Sequence, residues 1–432
     1  MNRVKRILSN KQILQRFIFT LALLLALRVM SFIPMPLVNV DAIRNLFENG
    51  LGFFAILNNF SGRSLERFSF LAMGISPYIT ASIVTQLLPM VVPTFKEWQE
   101  QGEEGRYKIN KINRVLAIAI AFVQGISLVL SFSAGRGTQF FVGFSGNISL
   151  AMIYIGLTIA AGTAICIWFA DMITQKGIGN GSSMLITAGI IISIPSMFSM
   201  MTKKYITEAT KWTHYVNFVI ITLLYIAIIL GVIFVETSSR KIPIQHANRQ
   251  AQSDSNIPIK VNTGNVMPVI FASTLLGIPQ TITGFITQNY SSGGGFWVNE
   301  IFNFQRPIGY IIYILLIIAF SFFYTFMQFD PEKISDNLSK SNAYIPGIRP
   351  GEDTKDFIAK TLFKVNVIGT IYLVIISSLP ILTAVIFGLQ GAEASAITLG
   401  GTSLLIVVGV AIETTKQIET DAESNQYRGI FG

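Results

Sequence analysis

The sequence has little of what an enzyme active site is built from. Its 432 residues include one cysteine, Cys166, and two histidines, His214 and His246. A single cysteine excludes an intramolecular disulfide framework. No histidine or acidic residue lies within a helical turn of Cys166, and the chain contains no GxxxxGK[ST], HExxH or paired-carboxylate signature. We therefore expect no catalytic residue, no metal site and no cofactor in this chain.

Charged residues are also scarce. They make up 13% of the chain, whereas 51% is hydrophobic and the mean hydropathy is +0.56. Soluble domains average about 25% charged residues. The composition therefore predicts a polytopic membrane protein. The basic residues lie mainly in loops, which are compatible with contact to ribosomal RNA but do not form a nucleic-acid-binding domain.

Long apolar runs recur along the chain. A membrane-spanning helix needs about 20 mostly apolar residues. Ten segments meet this requirement: 16–35, 70–92, 112–132, 148–170, 182–201, 214–235, 265–287, 308–329, 365–387 and 398–415. We expect an all-α polytopic membrane protein with ten transmembrane helices.

The distribution of positive charge predicts the orientation. Most of the 32 lysine and arginine residues lie in the N-terminal segment 1–15, in the second, fourth, sixth and eighth loops between the predicted spans, and in the tail 416–432. Cytosolic loops carry such an excess, so both termini are expected in the cytosol. The spans divide into halves at 16–201 and 214–415, joined by an external hinge loop at 202–213. An odd number of spans in each half makes the second half inverted relative to the first.

The span around residues 74–89, GISPYITASIVTQLLP, has an unusual polar lining. Ile75, Ile79 and Ile83 recur at four-residue spacing and so share one helical face. Polar side chains interrupt the remainder, namely Ser76, Thr80, Ser82, Thr85 and Gln86. Polar residues within a span normally face a bundle interior or a water-filled cavity. This segment is therefore predicted to line a path through the membrane.

Two kinds of membrane protein fit this lining. A secondary transporter of a small solute also has inverted repeats and spans broken by Gly or Pro. Ion coupling, however, places Asp, Glu or His near span centres, and here the centres offer Ser, Thr, Gln and Gly. The residues favour a passive, uncharged conduit and leave an uncoupled carrier as the alternative.

Two long cytosolic loops, 236–262 and 330–364, are polar and basic. Long loops in compact proteins are often functional, which makes these segments candidate docking elements. Positive-inside topology with a tolerated insertion explains their composition equally well.

Five motifs carry a family resemblance. They are GISPYITASIVTQLL at 74–88, KGIGNGSSM at 176–184, KVNTGNVMPVIFAS at 260–273, DNLSKSNAYIPGIRPGEDT at 336–354 and GGTSLLIVVGVAIE at 400–413. In this order and spacing the sequence resembles the SecY family of bacterial protein-conducting channels. The resemblance covers nearly the whole chain and implies two inverted five-helix halves around an hourglass pore.

The resemblance also implies how the pore is closed. The ring of aliphatic side chains at mid-membrane maps onto Ile75, Ile79, Ile186, Ile270 and Ile406. A short plug helix on the outer side maps onto about 53–67, with plug residues Leu57, Asn58, Phe60, Ser61, Gly62 and Arg63. The family usually has two glycines where this chain has Gly62 and Arg63, so a difference in plug packing is expected.

Family members open sideways between two pairs of spans. Ile83, Gln86 and Thr274 are the lateral-gate residues implied here, with core packing as the alternative role for Thr274. Ser182 stands where the family has an aliphatic residue, which predicts a more polar cytosolic funnel.

The two long loops match the sites where the family's motor ATPase SecA and the ribosome dock. The resemblance implies docking residues Arg240, Lys241, Arg249 and Arg349. The stretch SDSNIPIK departs from the family pattern beside them. Further implied partners are SecE-like and SecG-like membrane subunits, signal sequences, unfolded proproteins and the lipid bilayer. The implied location is the bacterial cytoplasmic membrane.

Overall fold

The computed structural model describes residues 11–41, 43, 58, 61–133, 147–207, 212–246, 255–286, 294–302, 306–388 and 391–428. The helices of the first half are α1 (Lys11–Ser31), α2 (Ser76–Val91), α3 (Pro93–Glu100), α4 (Glu103–Ser133), α5 (Ile148–Lys176) and α6 (Gly181–Thr202). Those of the second half are α7 (Trp212–Thr237), α8 (Met267–Ile286), α9 (Gly294–Phe302), α10 (Pro307–Gln328), α11 (Pro331–Lys340), α12 (Glu352–Ile386) and α13 (Gly391–Arg428). The strands are β1 (Ser239–His246), β2 (Ser255–Lys260) and β3 (Ala343–Tyr344).

Each of the ten predicted spans coincides with one of these helices, which confirms the all-α membrane class. Within the described ranges, six helices are long and apolar enough to cross a membrane: α1, α4, α5, α7, α10 and α12. The bent pair of α2 and α3 makes a seventh. Helices α6 and α8 contain shorter apolar stretches, Gly181–Ser196 and Met267–Pro279. These findings are consistent with ten spans.

The chain turns sharply between α2 and α3. The two helices meet at an angle of 100°. Val92, between them, is extended, with φ −112° and ψ 111°. Pro93 follows it, and a proline ring disfavours the helical conformation in the preceding residue. The apolar span therefore ends at this point, and α3 leaves in a new direction.

Both halves arrange their helices in the same neighbour order. In the first half, α2 contacts α4, α4 contacts α5 and α5 contacts α6; in the second, α8 contacts α10, α10 contacts α12 and α12 contacts α13. The halves meet along two edges, where α6 packs on α13 and where α2 and α4 pack on α8. The largest buried apolar cluster takes residues from both halves. The core therefore lies between the halves.

The two long loops join in a small sheet, a feature that the sequence analysis did not predict. Its strand order is β2-β1-β3, and both pairings are antiparallel. Ser239 pairs with Lys260 at one end of the β1–β2 hairpin, and Gln245 pairs with Tyr344 across to the second loop. Ile242 and Ile259 are buried with Leu338 in a separate apolar cluster beneath the strands. We call these three strands the docking sheet, after the docking role that the family resemblance implies for their loops.

Candidate functional site

The five ring isoleucines lie in one buried apolar cluster. Ile79 belongs to α2, Ile186 to α6, Ile270 to α8 and Ile406 to α13, and Ile75 immediately precedes α2. Each side chain is at most 8% exposed. Four elements from both halves therefore contribute isoleucines to one buried apolar cluster, and we call these five residues the constriction.

Local geometry explains part of this convergence. Ile75 and Ile79 lie one helical turn apart, and Pro77 occupies the first turn of α2, where its missing N–H leaves no helical hydrogen bond unmade. Ile83 extends the same face by one more turn and is buried in the same cluster. The result is a stripe of β-branched side chains that is buried in the same apolar cluster as Ile270 and Ile406.

One face of the constriction borders the segment before α2. We call Asn58 together with residues 61–74 the plug segment; Leu57 and Phe60 lie outside the described residues. Asn58 is buried, and its side-chain oxygen accepts a hydrogen bond from the backbone N–H of Glu66 at 3.0 Å. Arg63 forms an ion pair with Glu66 at 2.8 Å. These contacts give the segment internal order.

The predicted plug helix at 53–67 is wrong for its described second part. Residues 61–67 form turns, because Gly62 and Arg63 have φ of 64° and 65°. This left-handed conformation cannot continue a right-handed helix and costs a non-glycine residue about 1 kcal/mol. Arg63 thus keeps the backbone shape that a second glycine would adopt, and its ion pair and its N–H bond to the Asn58 carbonyl at 2.7 Å offset the strain.

A small cavity separates the plug segment from the helices. Its volume is about 30 Å³, and Arg28, Ser61, Gly62, Ile75, Cys166 and Gly189 are among the residues that line it. A Cβ atom built on Gly62 would lie 3.1 Å from the Cα of Gly189 in α6. The segment is therefore seated tightly against the wall of the constriction, with room for about one water molecule.

Gln86 makes a polar contact across the seam between the halves. Its Oε1 accepts a hydrogen bond from the hydroxyl of Tyr324 in α10, and its Nε2 donates to Ser82 Oγ at 2.8 Å. The Tyr324 ring packs edge-on against Phe271 of α8, with centroids 5.0 Å apart. Tyr324 was not among the residues predicted from the sequence, although a tyrosine in the apolar run FSFFYTFM signals a buried hydroxyl that needs a partner.

Thr274 and Ile83 contribute differently to this seam. The Thr274 hydroxyl donates to the carbonyl of Ile270 in its own helix, at 2.8 Å. Such a bond within the helix satisfies the hydroxyl without linking two helices. Ile83 is buried in the apolar cluster around the constriction. Among the three implied gate residues, Gln86 alone has a described hydrogen bond to the opposite half.

The implied docking residues are exposed where the structure describes them. Arg240 and Lys241 lie on β1, and Arg349 lies in the turn between β3 and α12; Arg249 falls outside the described residues. The turn backbone is pinned, since Thr354 Oγ1 donates to the Arg349 carbonyl at 2.8 Å and Ser335 Oγ donates to the Gly351 carbonyl at 2.9 Å. The Arg349 guanidinium is therefore presented from a fixed loop.

A buried polar bracket links the docking sheet to the helices. Residues 261–266 connect β2 to α8, and Asn262 is 2% exposed. Asn262 Nδ2 donates to Glu236 Oε1 in α7 at 2.5 Å and to the Asn265 carbonyl at 2.9 Å. The bracket therefore ties α7 to the connection that enters α8, the helix of Ile270. In the sequence, Asn262 belongs to the KVN tripeptide at 260–262, which begins the family motif at 260–273.

The described part of the chain contains no group of three His, Cys, Asp or Glu side chains placed to hold a metal ion. The arrangement consists of an apolar constriction, a tightly seated segment on one side of it and an exposed basic sheet. These parts suit passage and docking.

Comparisons with known proteins agree with this geometry. The family model for SecY matches residues 69–415. The chain is 40% identical to the protein translocase subunit SecY of Staphylococcus epidermidis, over 99% of this chain and 98% of the relative. It is also 40% identical to the same subunit of Staphylococcus aureus, over 98% of this chain and 97% of the relative.

Solved structures share the fold. A protein-conducting channel superposes with a TM-score of 0.65 at 18% identity, covering 95% of this chain and 93% of that one. Sec61 in a canine ribosome–channel complex superposes with a TM-score of 0.64 at 17% identity, with the same coverage. A further channel, with a TM-score of 0.65 and 18% identity over 95% of this chain and 93% of that one, comes from work on a plug domain that stabilises the closed state.

Proposed function

This chain belongs to the SecY family of protein translocase subunits, and from that premise we propose how its parts act as a protein-conducting channel. Unfolded secretory proteins pass between the two halves through the constriction. Transmembrane segments leave sideways through the seam into the lipid. The chain supplies the path, and the driving energy comes from its partners.

One observation carries this proposal: the convergence of five buried isoleucines from four elements of both halves. A narrow aliphatic passage dewets and so stops ions at rest. Apolar contact is also non-directional, so the same side chains deform around a passing chain without binding it. The same ring of isoleucines can therefore block ions at rest and let a polypeptide pass.

The plug segment is the second seal. Its seat against Gly189 and its place beside Ile75 support a role in covering the constriction from the outer side. The plug residues Asn58, Ser61, Gly62 and Arg63 keep it in place through the contacts described above. Displacement of this segment accompanies opening.

The seam between α2 and α4 on one side and α8 and α10 on the other is the proposed lateral gate. The bond from Tyr324 to Gln86 closes it, and Ile83 faces an arriving signal sequence. Thr274 packs within α8. The gate opens because these few polar contacts are exchanged for contacts with an apolar segment.

The charge pattern supports the orientation, and membership of the SecY family supports the location. The N-terminal segment, the docking sheet and the C-terminal tail lie in the cytosol, and the hinge loop 202–213 lies outside. The membrane is the bacterial cytoplasmic membrane. SecA and the ribosome dock through Arg240, Lys241, Arg249 and Arg349, SecE-like and SecG-like subunits pack around the helices, and SecA alone hydrolyses ATP.

A stalled proprotein tests the path directly. A photocrosslinker at Ile406 should capture the translocating chain in vesicles that contain the assembled complex, and one at Ile83 should capture its signal sequence. The matched control is Ile371 of α12, a 56% exposed isoleucine on the outer face, which should capture lipid. Equal capture at Ile371 and Ile406 contradicts the proposed path, and capture of a small solute at Ile406 favours a carrier.

A further inference from the structure

Arg28 is a charged residue near the end of the first span. A charge in a membrane-spanning helix is expensive and normally has a partner or reaches the interface. Here the Arg28 guanidinium donates to the carbonyl of Gly62 in the plug segment at 2.8 Å and to Ser31 Oγ at 3.1 Å. The side chain thus connects the first span to the plug segment.

The accepting carbonyl belongs to a residue in the left-handed conformation. Gly62 has φ +64°, so its carbonyl lies outside a regular helix and needs another donor. The same residue approaches the Gly189 backbone closely. Arg28 therefore binds the plug segment at a point where its backbone lies in close contact with α6.

An aromatic ring adds a second contact between the same two parts. The Arg28 Cζ lies 4.4 Å from the centroid of the Phe32 ring, and the Cζ of Arg67 in the plug segment lies 4.0 Å from it. Cations over an aromatic face are attracted by its quadrupole. Two guanidinium groups on one ring also repel each other. The contact of Arg28 and Phe32 with the plug segment is therefore specific in geometry but limited in strength. Such a contact can be broken when the plug segment moves.

We propose that Arg28 is a latch that holds the plug segment closed over the constriction. It is a positioning residue, because it acts through the Gly62 carbonyl and touches no substrate. The proposal rests on the channel function above and adds to it the residue whose release frees the plug. Loss of the latch lets the segment leave its seat more often in the idle channel.

The single cysteine of the chain reports on this movement. Cys166 is 2% exposed and lines the cavity between α5 and the plug segment. In the closed state it should react slowly with a membrane-impermeant maleimide present on both faces of vesicles. Each excursion of the plug segment opens the cavity and exposes the thiol, so the labelling rate measures the open population.

We expect Arg28→Met to raise the labelling rate of Cys166 about tenfold or more, as loss of a hydrogen bond from a charged donor predicts. Arg28→Lys should give a smaller rise, since an ammonium lacks the planar fork. Phe32→Leu should raise the rate severalfold. Arg16→Met is the matched control on the same helix, because Arg16 is exposed and pairs with Asp421, and it should leave the rate unchanged.

Transport of a proprotein by the same vesicles separates the two proposals. Slow labelling of assembled, transporting Arg28→Met and Phe32→Leu channels overturns the latch and leaves the channel function standing. Raised labelling with no proprotein transport by the unaltered chain contradicts the channel function instead. Equal increases in Arg28→Met and Arg16→Met also overturn the latch.

Discussion

The constriction and the docking sheet differ in how they place their residues. The constriction draws Ile75, Ile186, Ile270 and Ile406 from distant parts of the chain and buries them in one cluster without directional bonds. The docking sheet draws its residues from two loops that pair as strands, and it exposes Arg240 and Lys241 on the hydrogen-bonded backbone of β1. Arg349 is exposed in the turn that follows β3.

The difference follows from the role that we propose for each region, sealing for the constriction and partner recognition for the docking sheet. A seal must close on itself and also yield to chains of any sequence, and apolar packing provides both because it is non-directional. The proposed docking surface must recognise particular partners, so its charges need fixed positions. The two regions meet in the bracket of Glu236 and Asn262, where a buried hydrogen bond ties the rigid surface to the helix that carries Ile270.

Weakening the constriction should have the largest effect. Replacing Ile79 and Ile406 together with glycine removes two buried side chains, each worth about 2–5 kcal/mol of packing. Water then wets the passage, and idle channels in planar bilayers should conduct ions. The matched control replaces the exposed Ile371 and Ile375 of α12 and should stay closed. If the double variant is folded and its idle channels conduct no more ions than the unaltered chain, the isoleucine ring is not the seal.

Reversing the charge at the docking surface should be next in size. Arg349→Glu places repulsion where an acidic partner group docks, at a cost of about 3 kcal/mol or roughly a hundredfold in affinity. SecA-driven transport should fall accordingly, while idle conductance stays low. Arg349→Lys should be partly defective. Normal proprotein transport by Arg349→Glu vesicles contradicts a docking role for this turn.

The bracket tests whether the two regions are coupled. Asn262→Ala leaves the Glu236 carboxylate buried without its described donor, which costs about 1–3 kcal/mol. Amide hydrogen exchange should show faster opening of the β1–β2 hairpin. SecA should stimulate proprotein transport less than it does in the unaltered channel, and the ion conductance of idle channels should not change. Asn337→Ala on the exposed part of α11 serves as the control. Equal hairpin protection in both variants disproves the bracket.

The smallest effect is expected at the seam. Tyr324→Phe removes the hydroxyl that bonds Gln86 and keeps the ring against Phe271. A net hydrogen bond is worth about 1 kcal/mol, so the gate should open about fivefold more readily. Capture of a stalled signal sequence by a photocrosslinker at Ile83 measures this. Thr274→Val, which removes a hydroxyl bonded within its own helix, should change capture little.

The parts of the site that rest on local spacing were predictable from the sequence. Ile75 and Ile79 share a helical face because they are one turn apart, and Gln86 stands out as a polar residue in an apolar span. Tyr324 was missed because nothing in its own neighbourhood tells which distant residue accepts its hydrogen. The resemblance implied a plug helix at about 53–67. The described turns at 61–67 were not foreseen, because a left-handed arginine is rare and depends on partners such as Glu66.

The docking sheet shows the same limit in another form. Its strands are short and carry Pro243 and Pro258, so the alternation that marks a strand is weak in the sequence. Pairing with β3 depends on a loop that follows two further spans. Only the folded chain places Tyr344 opposite Gln245.

The sequence by itself determined the membrane class, the spans and their alternation, because apolar length must match the bilayer and every backbone polar group must be satisfied within it. Composition and periodicity carry that information residue by residue. Only the tertiary structure decided that five isoleucines share one buried cluster, that Arg28 donates to the Gly62 carbonyl and that Tyr324 donates to Gln86. Each of these depends on how helices far apart in the chain pack side by side, which no local pattern encodes.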